Sequence, residues 1–156
     1  MRLSIPARPA VLNALLPGDF FQRENGESGI VVGTGTAERA AIIFPAKGSL
    51  QSVHLHHPGT SSGREVISFS NAVLKLDDLS SGNDEDLDRG ALLLDANGEA
   101  FIRVFDNLSD HTFKLSDGQR TQPSSGPTMI FPTWGVYSAS EGEEPKLIFE
   151  WSARRG

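Results

Sequence analysis

A chain of 156 residues, 38% hydrophobic and 22% charged, is long enough to bury one core, too short for two ordinary ones, and unlike a disordered or membrane-embedded composition. The formal charge of −6, with no Lys/Arg cluster larger than Arg154-Arg155, sets the average surface against nucleic acid, and the lack of cysteine removes disulfides and thiolate chemistry. Pro6, Arg8, Pro9 and Pro17 interrupt any apolar leader and no stretch approaches the ~20 residues of a membrane span, so we expect one cytoplasmic domain over 1–156 and no membrane partner.

The first predicted element is a short helix over 9–16: Val11, Leu12, Leu15 and Leu16 share a helical face, Pro9 suits a first turn, and Pro17-Gly18 stops it. From Asp19 onward, short runs of Val, Ile, Leu and Phe recur between Gly, Pro, Asn-Gly and Asp-Gly. They predict strands over 20–23, 30–33, 39–44, 50–56, 65–69 and 72–76. After an acidic segment over 77–90, read as a loop, further strands are predicted over 91–95, 100–105, 112–115, 119–122, 129–131, 136–138 and 146–151. Ala96-Asn97-Gly98-Glu99 and Ser116-Asp117-Gly118-Gln119 carry dipeptides suited to type I′ turns, so antiparallel hairpins are expected there. In 146–151, Leu147, Phe149 and Trp151 alternate against Lys146 and Glu150, which predicts one buried and one wet face. So many short strands require two packed sheets or a closed barrel: an all-β antiparallel sandwich or barrel, with a jelly roll preferred.

Period two places Val53 and Leu55 on one strand face and His54 and His56 on the other, with His57 opening the turn at Pro58-Gly59. Two imidazoles so placed can share a divalent transition metal, with Glu65 or His111 completing the set. The alternative is that Val53 and Leu55 point inward and both histidines face water. Gly48, then five residues, then His54-Leu55-His56 resembles the first cupin motif, and Gly118, Pro123 and Gly126 resemble its second. Phe131-Pro132-Thr133-Trp134 is similar to a segment of some jelly-roll oxygenases. The resemblance implies a metal held by the histidines inside a jelly roll. Thr60 and Ser61 stand where the cupin glutamate belongs, Met129 where the later histidine belongs, and Tyr137 where the oxygenase histidine would be.

Other motifs read more plainly. Gly59-Thr60-Ser61-Ser62-Gly63 fits the nucleophile-elbow pattern, but a strand follows instead of a helix, so it reads as a Ser/Gly loop. Gly33-Thr34-Gly35 lacks the following helix of a dinucleotide turn and reads as a hairpin turn. Asp84, Asp86, Asp88 and Asp95 approach calcium-loop spacing, but Arg89 occupies the glycine position, so a solvated acidic loop is expected. Trp134 and Tyr137, near a strand end, are candidates to stack on a sugar or peptide beside the 58–63 loop. With no complete catalytic constellation, the leading expectation is a non-catalytic binding or assembly module, self-association through sheet edges remaining open. The rival is a small metal-dependent jelly-roll enzyme, which requires His54 and His56 to turn into the barrel.

Overall fold

Period-two runs of Val, Ile, Leu and Phe, cut short by Gly and Pro, favour extended chain over helix. The structure, a computed structural model, describes residues 7–33, 39–49, 52–57, 65–69, 71–76, 90–106, 109–139, 142 and 144–152. Its strands are β1 (Ala7–Val11), β2 (Phe20–Gln22), β3 (Ser28–Gly33), β4 (Arg39–Phe44), β5 (His54–His56), β6 (Glu65–Phe69), β7 (Ala72–Leu76), β8 (Leu92–Leu94), β9 (Ala100–Asp106), β10 (Ser109–Lys114), β11 (Met129–Phe131), β12 (Thr133–Ser138) and β13 (Lys146–Ser152). They form three antiparallel sheets, ordered β1-β6-β2-β3-β4-β5, β10-β9-β8-β11 and β13-β12-β7. Among the described residues no helix is long and apolar enough to cross a membrane.

β3 and β4 are near-continuous apolar runs, and both faces of the six-stranded sheet are buried around them. On the inner face Ile30, Val32, Ile42 and Phe44 join one cluster with Leu92, Ile102 and Phe113 of the second sheet and Trp134 and Val136 of the third. On the outer face Phe21, Val31, Ala41, Ile43 and Val66 pack with Leu12 and Leu15. The Phe21 ring lies over Gly29, its cross-strand partner, and any side chain at 29 would overlap that ring.

The N-terminal helix expected over 9–16 does not form. The chain there is β1, paired along β6, followed by a single 3-10 turn at Leu12–Ala14. Pro9 is tolerated because β1 is an edge strand, and the leucine spacing that mimics a helix serves instead to lay Leu12 and Leu15 on the outer face. Pairing with β6 outweighs the local helical pattern.

Predicted strands 39–44, 65–69, 72–76 and 129–131 coincide with β4, β6, β7 and β11. Stretch 119–122 yields only isolated bridges, Gly33 to Gln119 and Phe113 to Arg120. Both predicted turns reverse antiparallel chain but are wider than type I′. In the first, Asp95 N donates to Glu99 O at 3.0 Å and Gly98 N to Asp95 O at 3.0 Å; in the second, Gly118 N donates to Lys114 O at 2.8 Å. The second turn also links two sheets: Gly33 N donates to Gly118 O at 2.7 Å. Gly118 has φ +68°, and a methyl there would come within 2.7 Å of Gly18 N and 2.8 Å of Val31 O, so the contact requires glycine.

Strict alternation in β13 is also broken. β12 pairs Val136 with Phe149 and then Tyr137 with Leu147, a register shift that leaves Ile148 as an extra residue. The bulge turns Ile148 toward the core and sends Leu147 to the outer face, where it is 50% exposed. The predicted turn at 33–35 beyond Gly33, the 58–63 loop, most of the 77–90 segment and Arg154-Arg155 lie outside the described residues.

Candidate functional site

Val53, just before β5, and Leu55 within it belong to the main core, Val53 as a buried member and Leu55 packed against it. His54 and His56 project on the opposite side, where their partners in register are Ile43 and Ala41 of the outer-face cluster. The histidines thus turn away from the main core, and both are half-buried. His54 Nδ1 lies 3.1 Å from Ser52 O.

The proposed metal set is not assembled. His111 sits on β10 in another sheet, opposite Val104, with Nε2 3.3 Å from Ser109 Oγ. Among the described residues no three His, Asp or Glu side chains come together in an arrangement that could hold a metal ion. His54, His56, Glu65 and His111 therefore do not fit the metal that the cupin resemblance implies, because the histidine face is the outer face of its sheet. Asp95, the twelfth position of the supposed calcium loop, is equally committed: Oδ1 accepts the N–H groups of Asn97 and Glu99 at 2.9 and 3.0 Å, and Oδ2 that of Ser124 at 3.2 Å. Asp84, Asp86 and Asp88 lie outside the described residues.

Trp134 is fully buried on the inner side of β12, with the Phe44 ring edge-on at 5.2 Å, so it has no face to offer a ligand and the stacking role is corrected to a core role. Tyr137, three residues on, necessarily points to the other face. There it lies between Val73 and Leu147 in register, with Lys75 Nζ 5.1 Å from the ring centroid.

Two of the candidates do converge. His56 and Glu65 line a cavity of about 680 Å³ together with Leu12, Arg23, Glu24, Asn25 and Val66. Each wall has a local cause. Arg23 follows β2 and opens a tight reversal in which its N–H donates to Glu27 O at 2.8 Å and Gly26 N donates back to Arg23 O at 3.1 Å. Asn25 Oδ1 accepts Glu27 N at 3.1 Å, and Arg23 Nη1 meets Glu27 Oε2 at 3.0 Å. Leu12 comes from the 3-10 turn, and Glu65 and Val66 from the start of β6.

The electrostatics follow from this packing. Burial pushes the Glu27 carboxyl up, but the Asn25 side chain, the Arg23 hydrogen bond and the charges of Arg23 and His54 outweigh it and hold the group below its ordinary 4.5. Burial first, then the Arg23 cation and His54, depress His56 below its ordinary 6.5 despite the opposing Glu27 charge. His56 is therefore a neutral imidazole at neutral pH, able to donate from one nitrogen and accept at the other.

Sequence reasoning missed Arg23, Glu24, Asn25, Leu12 and Val66. The one local signal was Arg23-Glu24-Asn25-Gly26-Glu27, a reversal whose ends carry opposite charges. Comparison with protein-family models, curated proteins and solved structures returns no match to this chain.

Proposed function

We propose that this chain is a non-catalytic binding domain whose ligand site is the cavity on the outer face of the six-stranded sheet. The observation that carries the reading is the meeting of an apolar pair, Leu12 and Val66, with Arg23, His56 and Glu65 in one cavity of about 680 Å³. Its volume falls in the roughly 300–1,000 Å³ of small-molecule sites, and its mostly polar and charged lining, with Glu24 and Asn25 beside the three named groups, suits a polar ligand. The antiparallel sheets serve as its rigid frame, in a jelly-roll-like sandwich or barrel forming one cytoplasmic domain.

The test is a fragment screen on ¹⁵N-labelled protein. Saturable shifts at the amides of Arg23, His56 and Val66 are the expected result. Two outcomes overturn the reading: shifts confined to Tyr137 and Leu147 on the third sheet, or stoichiometric zinc, manganese or iron binding that disappears with His54→Ala/His56→Ala. The second would restore the metal-enzyme alternative.

A further inference from the structure

We propose that the cavity takes a small zwitterion with an aliphatic body, dipeptide-sized or smaller, its carboxylate toward Arg23 and its ammonium toward Glu65. This rests on the cavity being the ligand site and names the class of ligand.

The lining carries both signs of charge on neighbouring strands. Gln22 pairs with Ile67 across β2 and β6, so Arg23, the next residue beyond β2, and Glu65, at the start of β6, lie at the same end of this strand pair. Arg23 bonds Glu27 through Nη1, which engages one of the five guanidinium N–H donors. The planar fork retains donors for a carboxylate, its best-matched partner. Among the described residues the Glu24 and Glu65 side chains make no ion pair or hydrogen bond, and neither is engaged by Arg23.

A purely anionic ligand would bring its charge beside Glu24 and Glu65 and leave them partly desolvated with no counter-charge. A purely cationic one would lie beside the Arg23 guanidinium and leave the donors that Glu27 does not use without an acceptor. Each case costs free energy that opposite charges at the two ends of one ligand recover. Leu12 and Val66, largely buried in the outer-face cluster, border the same cavity and leave a narrow apolar contact for an aliphatic group. His56 reports on the carboxylate: an anion lodged beside it offsets the Arg23 charge that helps keep the ring neutral and pushes its pKa up, whereas an uncharged group adds only burial and pushes it down.

The probe is the dipeptide alanyl-leucine, compared with its N-acetyl form, which lacks the ammonium, and its C-terminal amide, which lacks the carboxylate. Binding is followed by amide shifts at Arg23, His56 and Val66 and by NMR titration of the His56 ring. The free dipeptide is expected to bind roughly tenfold tighter than either blocked form. It and the N-acetyl form should raise the His56 pKa, whereas the amide should not. Glu65→Gln, an isosteric change at an exposed position, should abolish the preference over the N-acetyl form while preserving the preference over the amide. If a blocked form binds within about twofold of the dipeptide, the zwitterion is overturned and the cavity reading stands. If all three leave these amides unmoved, the zwitterion is overturned, and the fragment screen then decides the cavity itself.

Discussion

The indole Nε1–H of Trp134 donates to the carbonyl oxygen of Gly90 at 2.8 Å in the buried core, joining chain segments 44 residues apart. Neither group has water as an alternative partner, so the bond fixes where the chain enters β8 relative to β12. Trp134→Phe keeps an aromatic ring and removes the donor. It is expected to destabilise the fold by about 1–3 kcal/mol in urea unfolding followed by circular dichroism. Dipeptide affinity should stay unchanged, since the residue lies in the core; a neutral stability with lost binding would return Trp134 to a ligand role.

The bulge in β13 yields an inverted pair of expectations. Strict alternation makes Leu147 a core residue and Ile148 a surface one, whereas the observed register makes Ile148 pack and Leu147 face solvent. Leu147→Ser should therefore change stability by no more than about 0.5 kcal/mol. Ile148→Ala should cost about 1–3 kcal/mol, at the lower end of core truncations because the side chain is only partly buried. Equal costs, or the reverse order, would show that the register shift is absent in solution.

Acid stability should fall in two stages. A histidine with depressed pKa binds fewer protons folded than unfolded. Its contribution is intact above the ordinary 6.5 and is lost as pH falls from there through the lowered folded value. Asp95 behaves as a depressed carboxylate. Burial opposes ionisation, but the N–H groups of Glu99, Ser124 and Asn97 prevail, so its contribution persists above 3.8 and is lost as pH falls through its folded value. Denaturation midpoints measured from pH 8 to pH 3 should show His56→Gln flattening the first limb and Asp95→Asn the second. A variant that leaves its own limb unchanged refutes that assignment.

Much of the strand layout was legible because burial on one face writes period two into the chain. Glu65–Phe69 and Ala72–Leu76 could be bounded from alternation and the intervening Ser-Asn alone. The same periodicity separated His54 and His56 from Val53 and Leu55, though it could not say which face belonged to which core. Three features were illegible for physical reasons. β1 hides because Pro9 and paired leucines also satisfy a helix. The bulge hides because inserting one residue leaves the apolar spacing of Leu147, Phe149 and Trp151 intact. The cavity hides because its lining comes from positions 12, 23–25, 56 and 65–66, joined only when β6 returns beside β2. The misplacement of Trp134 with Tyr137 was avoidable, since residues three apart in a strand face opposite ways.

The pairing of β1 with β6 also sets an order of assembly. Among the described residues β1 finds its one sheet neighbour more than fifty positions downstream, in Glu65–Phe69, whereas β2, β3, β4 and β5 zip from hairpin to hairpin. The closure that brings β6 beside β2 also gives β1 its edge to join, and it carries a greater entropic penalty than the hairpins do. Leu12 travels with β1. Until then Phe21, Val31 and Ile43 lack their covering leucines and the cavity lacks a wall, so the proposed ligand site depends on that closure.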